Sequence, residues 1–371
     1  MPANSPKSGV TRESVGVTCK AEGPPRQGSG VTHEGLSVTH LDPDTAREGV
    51  IVVALGSPTE ASTGAIAEFL GEFLSDKRVV DMPDVLWQPI LRGPILRRRP
   101  GKVLEQYEDI WMDGSPLRVI TEAQVARLAE LLPECEVRLG YQYGRPNFVE
   151  TFVEMASRLD EITVLPTYPH FAPATVGSVA DRLDAALSIS RERFGRVPRV
   201  RAARSWPELP GYVNWHAQRI ASALAEEDAD MLIFSWHGLP DRRPHQPARY
   251  AAECDATARA IVARLADLGV SIPWRSTFQS KFGPDRWLRP ATIDTMARLS
   301  REGVHRVLVA NPGFMADCLE TIYEMDVLNA DAFYKNGGQI FRRTGCPDAE
   351  AGAAILAELR GALARRGWRE M

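Results

Sequence analysis

The sequence of 371 residues is short of the patterns that announce the commonest metal, nucleotide and acyl-transfer chemistries. Its five cysteines, Cys19, Cys135, Cys254, Cys318 and Cys346, lie far apart without a CxxC pair. Neither a zinc ribbon nor an iron–sulfur cluster would find ligands at workable spacing. An odd number of thiols without a secretory leader predicts reduced cysteines in a cytoplasmic protein. No apolar run approaches the length of a membrane span. The formal net charge is −4, which argues against nucleic-acid binding by the chain as a whole, so an anionic partner would need a local basic patch. G-x-G-x-x-G and the P-loop are missing too. The first apolar strand runs into Gly56-Ser57-Pro58, where Pro58 withholds a backbone donor that a dinucleotide's phosphates would need.

What is present is a chain long enough for two domains, 44% apolar and 25% charged. Residues 1–47 are rich in Pro, Gly, Ser and charge, with no apolar leader core, and read as a disordered extension. Thereafter β-rich runs alternate with helical periodicity. Strands are predicted at 50–55, 136–141, 161–166, 198–203, 230–236, 274–279, 305–310 and 339–343. Helices are predicted at 116–132, 147–157, 176–194, 211–226, 249–268, 289–301 and 349–366. Strand–helix alternation means parallel sheets covered on both faces. The fold class is therefore α/β: two Rossmann-like doubly wound domains, each with a mainly parallel four-stranded sheet, and a cleft between them. The N-terminal domain covers 48–205 and the C-terminal domain 206–345, with the break near "RSWPELPGY" at 204–212 and a C-terminal helix over 346–371. No close internal repeat is visible, so the halves are alike in architecture only.

In such folds ligands gather at the C-terminal ends of the strands. "FSWHGLPDR" at 234–242 puts His237 at one of these ends, where a histidine is core packing, a metal ligand or a proton acceptor. Ser235 lies two residues earlier on the same side, but no carboxylate is evident to orient a Ser–His pair, and G-x-S-x-G is absent. "ADCLETIYEMD" at 316–326 predicts a helix with Asp317 as N-cap and Glu320 at the third helical position, a capping-box pattern. Glu324 lies one turn further on the same face, a like-charge pair that costs a few tenths of a kcal/mol unless a cation offsets it. A histidine and a carboxylate facing each other can bind a divalent metal or move protons. Two ligands are too few for a structural metal and suit a transient one, or a substrate that must lose protons. The residues by themselves lead to a histidine/acid cleft enzyme.

Several longer motifs go further. "LSDKRVVDMP", "DGSPL", "LPTYPHFAPATVGS", "SWHGLP", "TFQSKFGPDRWLRP" and "PGFMADCLETIYE" occur in that order, and together the chain from about residue 48 to 345 resembles the ferrochelatase family. The resemblance implies a lyase-class metal chelatase that inserts ferrous iron into protoporphyrin IX to form haem. Iron is then a substrate, with no tightly bound cofactor and no iron–sulfur cluster. It implies that His237 is a metal ligand or accepts pyrrole protons, that Glu320 faces it across the cleft, and that Glu324 belongs to an acidic row relaying protons or metal. Tyr168, His170, Ser57, Arg98 and Trp287 are the implied porphyrin-binding residues, with Phe282 beside them. Residues 84–102 gain a second meaning. Trp87, Ile90, Leu91, Ile95 and Leu96, followed by Arg97, Arg98, Arg99 and Lys102, are either a packed helix with a solvated basic run or an apolar lip beside arginines. Such a lip would accept a flat apolar ring with carboxylate arms and would also touch the inner face of an anionic membrane. The chain departs from the family pattern at Ala54, at Gln142, at Arg243 and Pro247-Ala248, at Leu328 and in "TGCPD" near the C-terminus. A paralogue that binds porphyrin or haem with little turnover, or a chelatase for a related tetrapyrrole such as coproporphyrin, therefore stays open.

Overall fold

A computed structural model describes residues 48–281 and 285–365. The extension predicted over 1–47, and Phe282, lie outside the described residues.

β1 (Glu48–Ala54), β2 (Glu136–Tyr141), β3 (Glu161–Pro166) and β4 (Arg199–Ala202) form one four-stranded sheet in the order β2-β1-β3-β4. β5 (Met231–His237), β6 (Trp274–Gln279), β7 (Arg306–Ala310) and β8 (Ile340–Arg343) form a second in the order β6-β5-β7-β8. Every pairing within both sheets is parallel. Sheets covered on both faces need strands that are apolar at every position rather than at alternate ones. Val50, Ile51, Val52 and Val53 in β1, and Leu232, Ile233 and Phe234 in β5, meet that need and are all buried. The two-sheet α/β architecture is as the sequence predicts.

The covering helices are α1 (Thr63–Ser75), α2 (Asp84–Ile90), α3 (Leu96–Glu108), α4 (Pro116–Leu131), α5 (Phe148–Ala156) and α6 (Ser178–Phe194) in the first half. In the second they are α7 (Pro210–Glu226), α8 (Pro247–Asp267), α9 (Thr292–Leu299), α10 (Ala330–Lys335) and α11 (Ala349–Arg365). Short polar side chains start several of them. Ser62 Oγ accepts from the Ala65 amide, and Asn147 Oδ1 accepts from the amides of Val149 and Glu150. α11 does not stand apart as a terminal segment. It packs on α4, and Arg360 pairs with Glu48 at 2.8 Å and Glu134 at 3.1 Å. The main apolar core is continuous between the sheets, joining Val50, Val52, Val137 and Leu165 to Phe234, Trp236, Leu308 and Ala310.

α1, α2 and α3 form an excursion between β1 and α4 with a core of its own, built on Ile66, Leu70, Leu74, Trp87, Leu91 and Tyr107. Leu319, Ile322 and Tyr323, on the segment after β7, pack against this core. Pro89, Pro94 and Pro100 remove three amides from the α2–α3 stretch, and a π-helical turn at Leu91–Ile95 carries the chain from α2 to α3. Of the two readings of 84–102, the packed helix holds at Trp87 and Leu91, while Ile90 stays exposed. Trp87 and Leu91 face inward, Trp87 with its indole N–H donated to the Leu74 carbonyl at 2.6 Å. The exposed apolar residues are instead Met82, Val85, Leu86 and Ile90, with Val85 at 83% exposure. Arg97, Arg98 and Lys102 are exposed as well.

Candidate functional site

The site is built on the C-terminal ends of β5 and β6 and on the segment after β7. His237 closes β5 and is half-buried. Its Nδ1 lies 2.7 Å from the Gly238 carbonyl, which can only accept, so the neutral ring carries its proton on Nδ1 and keeps a lone pair on Nε2. The residue paired with His237 in the sheet is Gln279, the last of β6. Its amide is fully used. Oε1 accepts from Ser235 Oγ at 2.8 Å and from Asn311 Nδ2 at 3.0 Å, while Nε2 donates to the Glu320 carbonyl at 2.7 Å and reaches Glu324 Oε2 at 3.4 Å. One buried glutamine thus connects the strand that presents His237 to the segment that carries both glutamates. The bonds at Gln279 favour a fixed arrangement, because breaking one would leave a desolvated polar group.

The acidic segment departs from the helix predicted for it. Residues 316–318 are irregular, 319–322 form turns, and the helical part is a π-helix over Tyr323–Asn329. Glu320 therefore does not close a capping box. The Asp317 carboxylate accepts from Thr321 Oγ1 at 2.8 Å and pairs with Arg343 at 2.6 Å. Arg343 also pairs with Asp326 at 3.1 Å, so one buried guanidinium at the end of β8 grips the segment on either side of its glutamates. Burial would raise the Asp317 carboxyl, but the Arg343 charge together with hydrogen bonds from Thr321 and Cys346 outweighs this and holds it below the usual carboxylate range. Glu324 goes the other way. Burial first, then the nearby charge of Glu320, push it up to about 7 against the hydrogen bonds from Ser280 and Gln279. Tyr107, buried under the α1–α3 roof, is pushed well above its ordinary value by burial and then by the Glu320 charge. π-Helical turns are rare and are found disproportionately at functional sites.

The remaining predicted residues divide between the rim and the interior. Trp287 stands at the site: the β-bridge to Pro240 lays it beside Gly238, and its buried indole Nε1 has no hydrogen-bond partner among the described residues. A cavity of about 250 Å³ opens there, lined by Gly238, Gln279, Lys281 and Trp287 among others. Arg98 is exposed on α3. Ser57 is buried, with its hydroxyl bonded to that of Ser115, the residue that caps α4. The Tyr168 hydroxyl donates to Gln142 Oε1. His170, expected in the cleft, is instead part of the core. Its ring meets the edges of Trp236 and Tyr250, and Nε2 bonds to Thr257 Oγ1 at 2.8 Å, whose own proton goes to the Pro207 carbonyl. Burial holds the His170 imidazole down at about 3, so it stays neutral. Ser235 likewise spends its hydroxyl in the Gln279 network rather than on His237. Of the departures, Ala54 is buried in β1, Gln142 is buried against Tyr168, and Leu328 is 43% exposed on the π-helix.

Asn311, Arg343 and Tyr107 lie outside the quoted sequence motifs, and Gln279 and Ser280 lie inside TFQSKFGPDRWLRP without a role being assigned to them there. Gln279 is the last residue of its strand, so a survey of the loops beyond the strands begins one position too late. Arg343 and Tyr107 reach the segment only through the sheet order and the roof.

An imidazole lone pair at the end of β5 and two glutamates on the segment that Gln279 ties to β6 are groups that can handle a cation or protons. Comparison with known proteins takes this to a family. The Ferrochelatase family model matches residues 47–360, and the chain belongs to the ferrochelatase family, a family of metal chelatases. It is 36% identical to the coproporphyrin III ferrochelatase of Enterococcus faecalis, over 80% of this chain and 93% of that protein. It is 38% identical to the ferrochelatase of Pectobacterium atrosepticum over 79% and 91%. Identity to the ferrochelatase of Aromatoleum aromaticum is 39% over 83% and 84%.

Proposed function

We propose that the protein inserts ferrous iron into protoporphyrin IX, with His237 and Glu320 on opposite walls of the cleft. The observation that carries this reading is the Gln279 amide, which couples the His237 strand to Glu320 and Glu324. Iron cannot enter the ring until two pyrrole N–H protons leave, and a neutral imidazole is a suitable base near pH 7. His237 Nε2 accepts a pyrrole proton or holds the incoming iron. Glu320 contributes a carboxylate from the other wall, and Glu324, with its affinity for a proton raised to near neutrality, passes protons or metal along the segment. Trp287 packs against the macrocycle, and Arg98 meets a propionate arm. Ser57, Tyr168 and His170 act from beneath as supports. The exposed Met82, Val85, Leu86 and Ile90 beside Arg97 and Arg98 rest on an anionic membrane surface on the cytoplasmic side, where an apolar porphyrin partitions.

A second reading takes coproporphyrin III as the substrate, favoured by the Enterococcus faecalis relative that carries that name. The decisive experiment mixes purified protein anaerobically with ferrous iron and either porphyrin, then follows the absorption spectrum of the iron product. Faster turnover of protoporphyrin IX supports the first reading, and faster turnover of coproporphyrin III the second. Tight porphyrin binding without turnover of either would overturn both and make the chain a binding paralogue.

A further inference from the structure

We propose that Ser280 is a positioning residue for Glu324, held in a left-handed backbone conformation so that its hydroxyl fixes that carboxylate. The inference rests on the chelatase reading and adds to it the residue that aims the relay glutamate.

Among the described residues only two other than glycine have positive φ, Gln246 at 48° and Ser280 at 62°. An L-residue pays roughly 1–2 kcal/mol for this region because its Cβ crowds the backbone. Glycine would make the same turn without that cost. What serine adds is its hydroxyl, which donates to Glu324 Oε2 at 2.6 Å. Gln279 Nε2 reaches the same oxygen. Both bonds fall on Oε2, and among the described residues no hydrogen bond is made to Oε1. The carboxylate is thus held by one oxygen with the other left for a cation or a proton. Strained backbone that persists where chemistry is done marks a constraint worth its cost in stability. The position next to Gln279 gives that constraint its meaning. Gln279 fixes the segment's backbone at Glu320, and Ser280 fixes the side chain one turn on.

The test compares wild type, Ser280→Gly, Ser280→Ala, Glu324→Gln and Ser280→Gly combined with Glu324→Gln, all as the full chain. Two measurements are made: anaerobic kinetics with ferrous iron and porphyrin, and calorimetric titration with ferrous iron alone. Loss of a hydrogen bond to a charged group predicts about a tenfold rise in KM and Kd for iron, with the KM for porphyrin changed less than about twofold. Glycine and alanine variants should lose equally, although only alanine keeps the left-handed strain. In the Glu324→Gln background the Ser280→Gly change should have no further effect, because coupled residues are not additive. Unchanged iron affinity in both Ser280 variants, or an undiminished effect without the Glu324 carboxylate, would overturn the inference. A wild type that binds iron in a Ser280-dependent way yet makes no metalloporphyrin would overturn the chelatase reading and leave the role of Ser280 standing.

Discussion

The two halves of the molecule repeat one device and put it to different uses. In each, the central strand pairs with a neighbour that ends beside a glutamine: Ala54 pairs with Tyr141 ahead of Gln142, and Trp236 pairs with Phe278 ahead of Gln279. Each neighbour then donates a bond to the far side of an Arg-Pro step, Tyr141 N to Pro146 O and Phe278 N to Pro290 O. In each, the glutamine Nε2 donates to the irregular segment that lies beyond the third strand of its sheet, Gln142 to Thr175 O and Gln279 to Glu320 O. A π-helical turn lies on that segment in both cases, Pro173–Gly177 and Tyr323–Asn329. The difference lies in what the frame carries. Where the second half has His237, the first has Leu55 (each one residue beyond the Ala54 and Trp236 pairings). Where Gln279 Oε1 accepts from Ser235 and Asn311, Gln142 Oε1 accepts from Tyr168. The connecting loop has also grown, from residues 143–145 to residues 280–289, and brings Ser280 and Trp287. One half is a scaffold and the other is the same scaffold loaded with titratable groups.

That contrast can be broken by substitution. The largest expected effect is at His237. His237→Ala should lower the rate of iron insertion into porphyrin a hundredfold or more, roughly what a positioned acid–base group contributes, with porphyrin affinity and melting temperature nearly unchanged. Near-normal rates in that variant would remove the distinction between the halves. Next come the glycines after the central strands. A Cβ on Gly56 would lie 1.9 Å from the Tyr143 carbonyl oxygen at a φ of 94°, whereas on Gly238 it would lie 2.6 Å from the Gln279 carbonyl oxygen. Gly56→Ala should cost about 3 kcal/mol in urea unfolding, the upper end for overpacking. Gly238→Ala should cost less stability but more activity, since the carbonyl it displaces belongs to Gln279. Third, Gln279→Ala should reduce turnover about tenfold by releasing Glu320 and Glu324, while Gln142→Ala should stay within about threefold once the folded fraction is matched. The smallest effect is a slope. His170 and His216 are both held near 3 by burial. Unfolded histidines near 6.5 take up protons that the folded ones refuse, so stability should fall as pH drops from about 6.5 toward 3 by at most about 1.4 kcal/mol per unit for each. His216→Phe should flatten that decline in acid unfolding curves, and an unchanged slope would show that carboxylates dominate it.

The strands were legible because a sheet buried on both faces needs runs such as VIVVAL and MLIFSW, which few other structures tolerate. All eight appear within a residue or two of their predicted bounds. His237, Glu320 and Glu324 stood out through motif and charge. What did not show was whatever depends on register or on distant partners. Asp317 looked like an N-cap because its neighbours fit the pattern, but Arg343 lies 26 residues away and competes for the carboxylate. His170 looked like a cleft residue because it comes after β3, yet Thr257 and Trp236, from the other half, draw it inward. α1 went unread between two stronger signals, and the inward turn of Trp87 depends on it.

The continuous core between the sheets has a mechanical consequence. Parting the halves would uncover Val52, Phe234, Trp236 and Leu308 together and strand His170 between two broken surfaces, a cost comparable with unfolding. The roof of α1, α2 and α3 meets the acidic segment through a smaller set of contacts at Leu319, Ile322 and Tyr323. Local opening therefore costs less in the roof than between the halves, and amide exchange in α1–α3 should outpace that in β5.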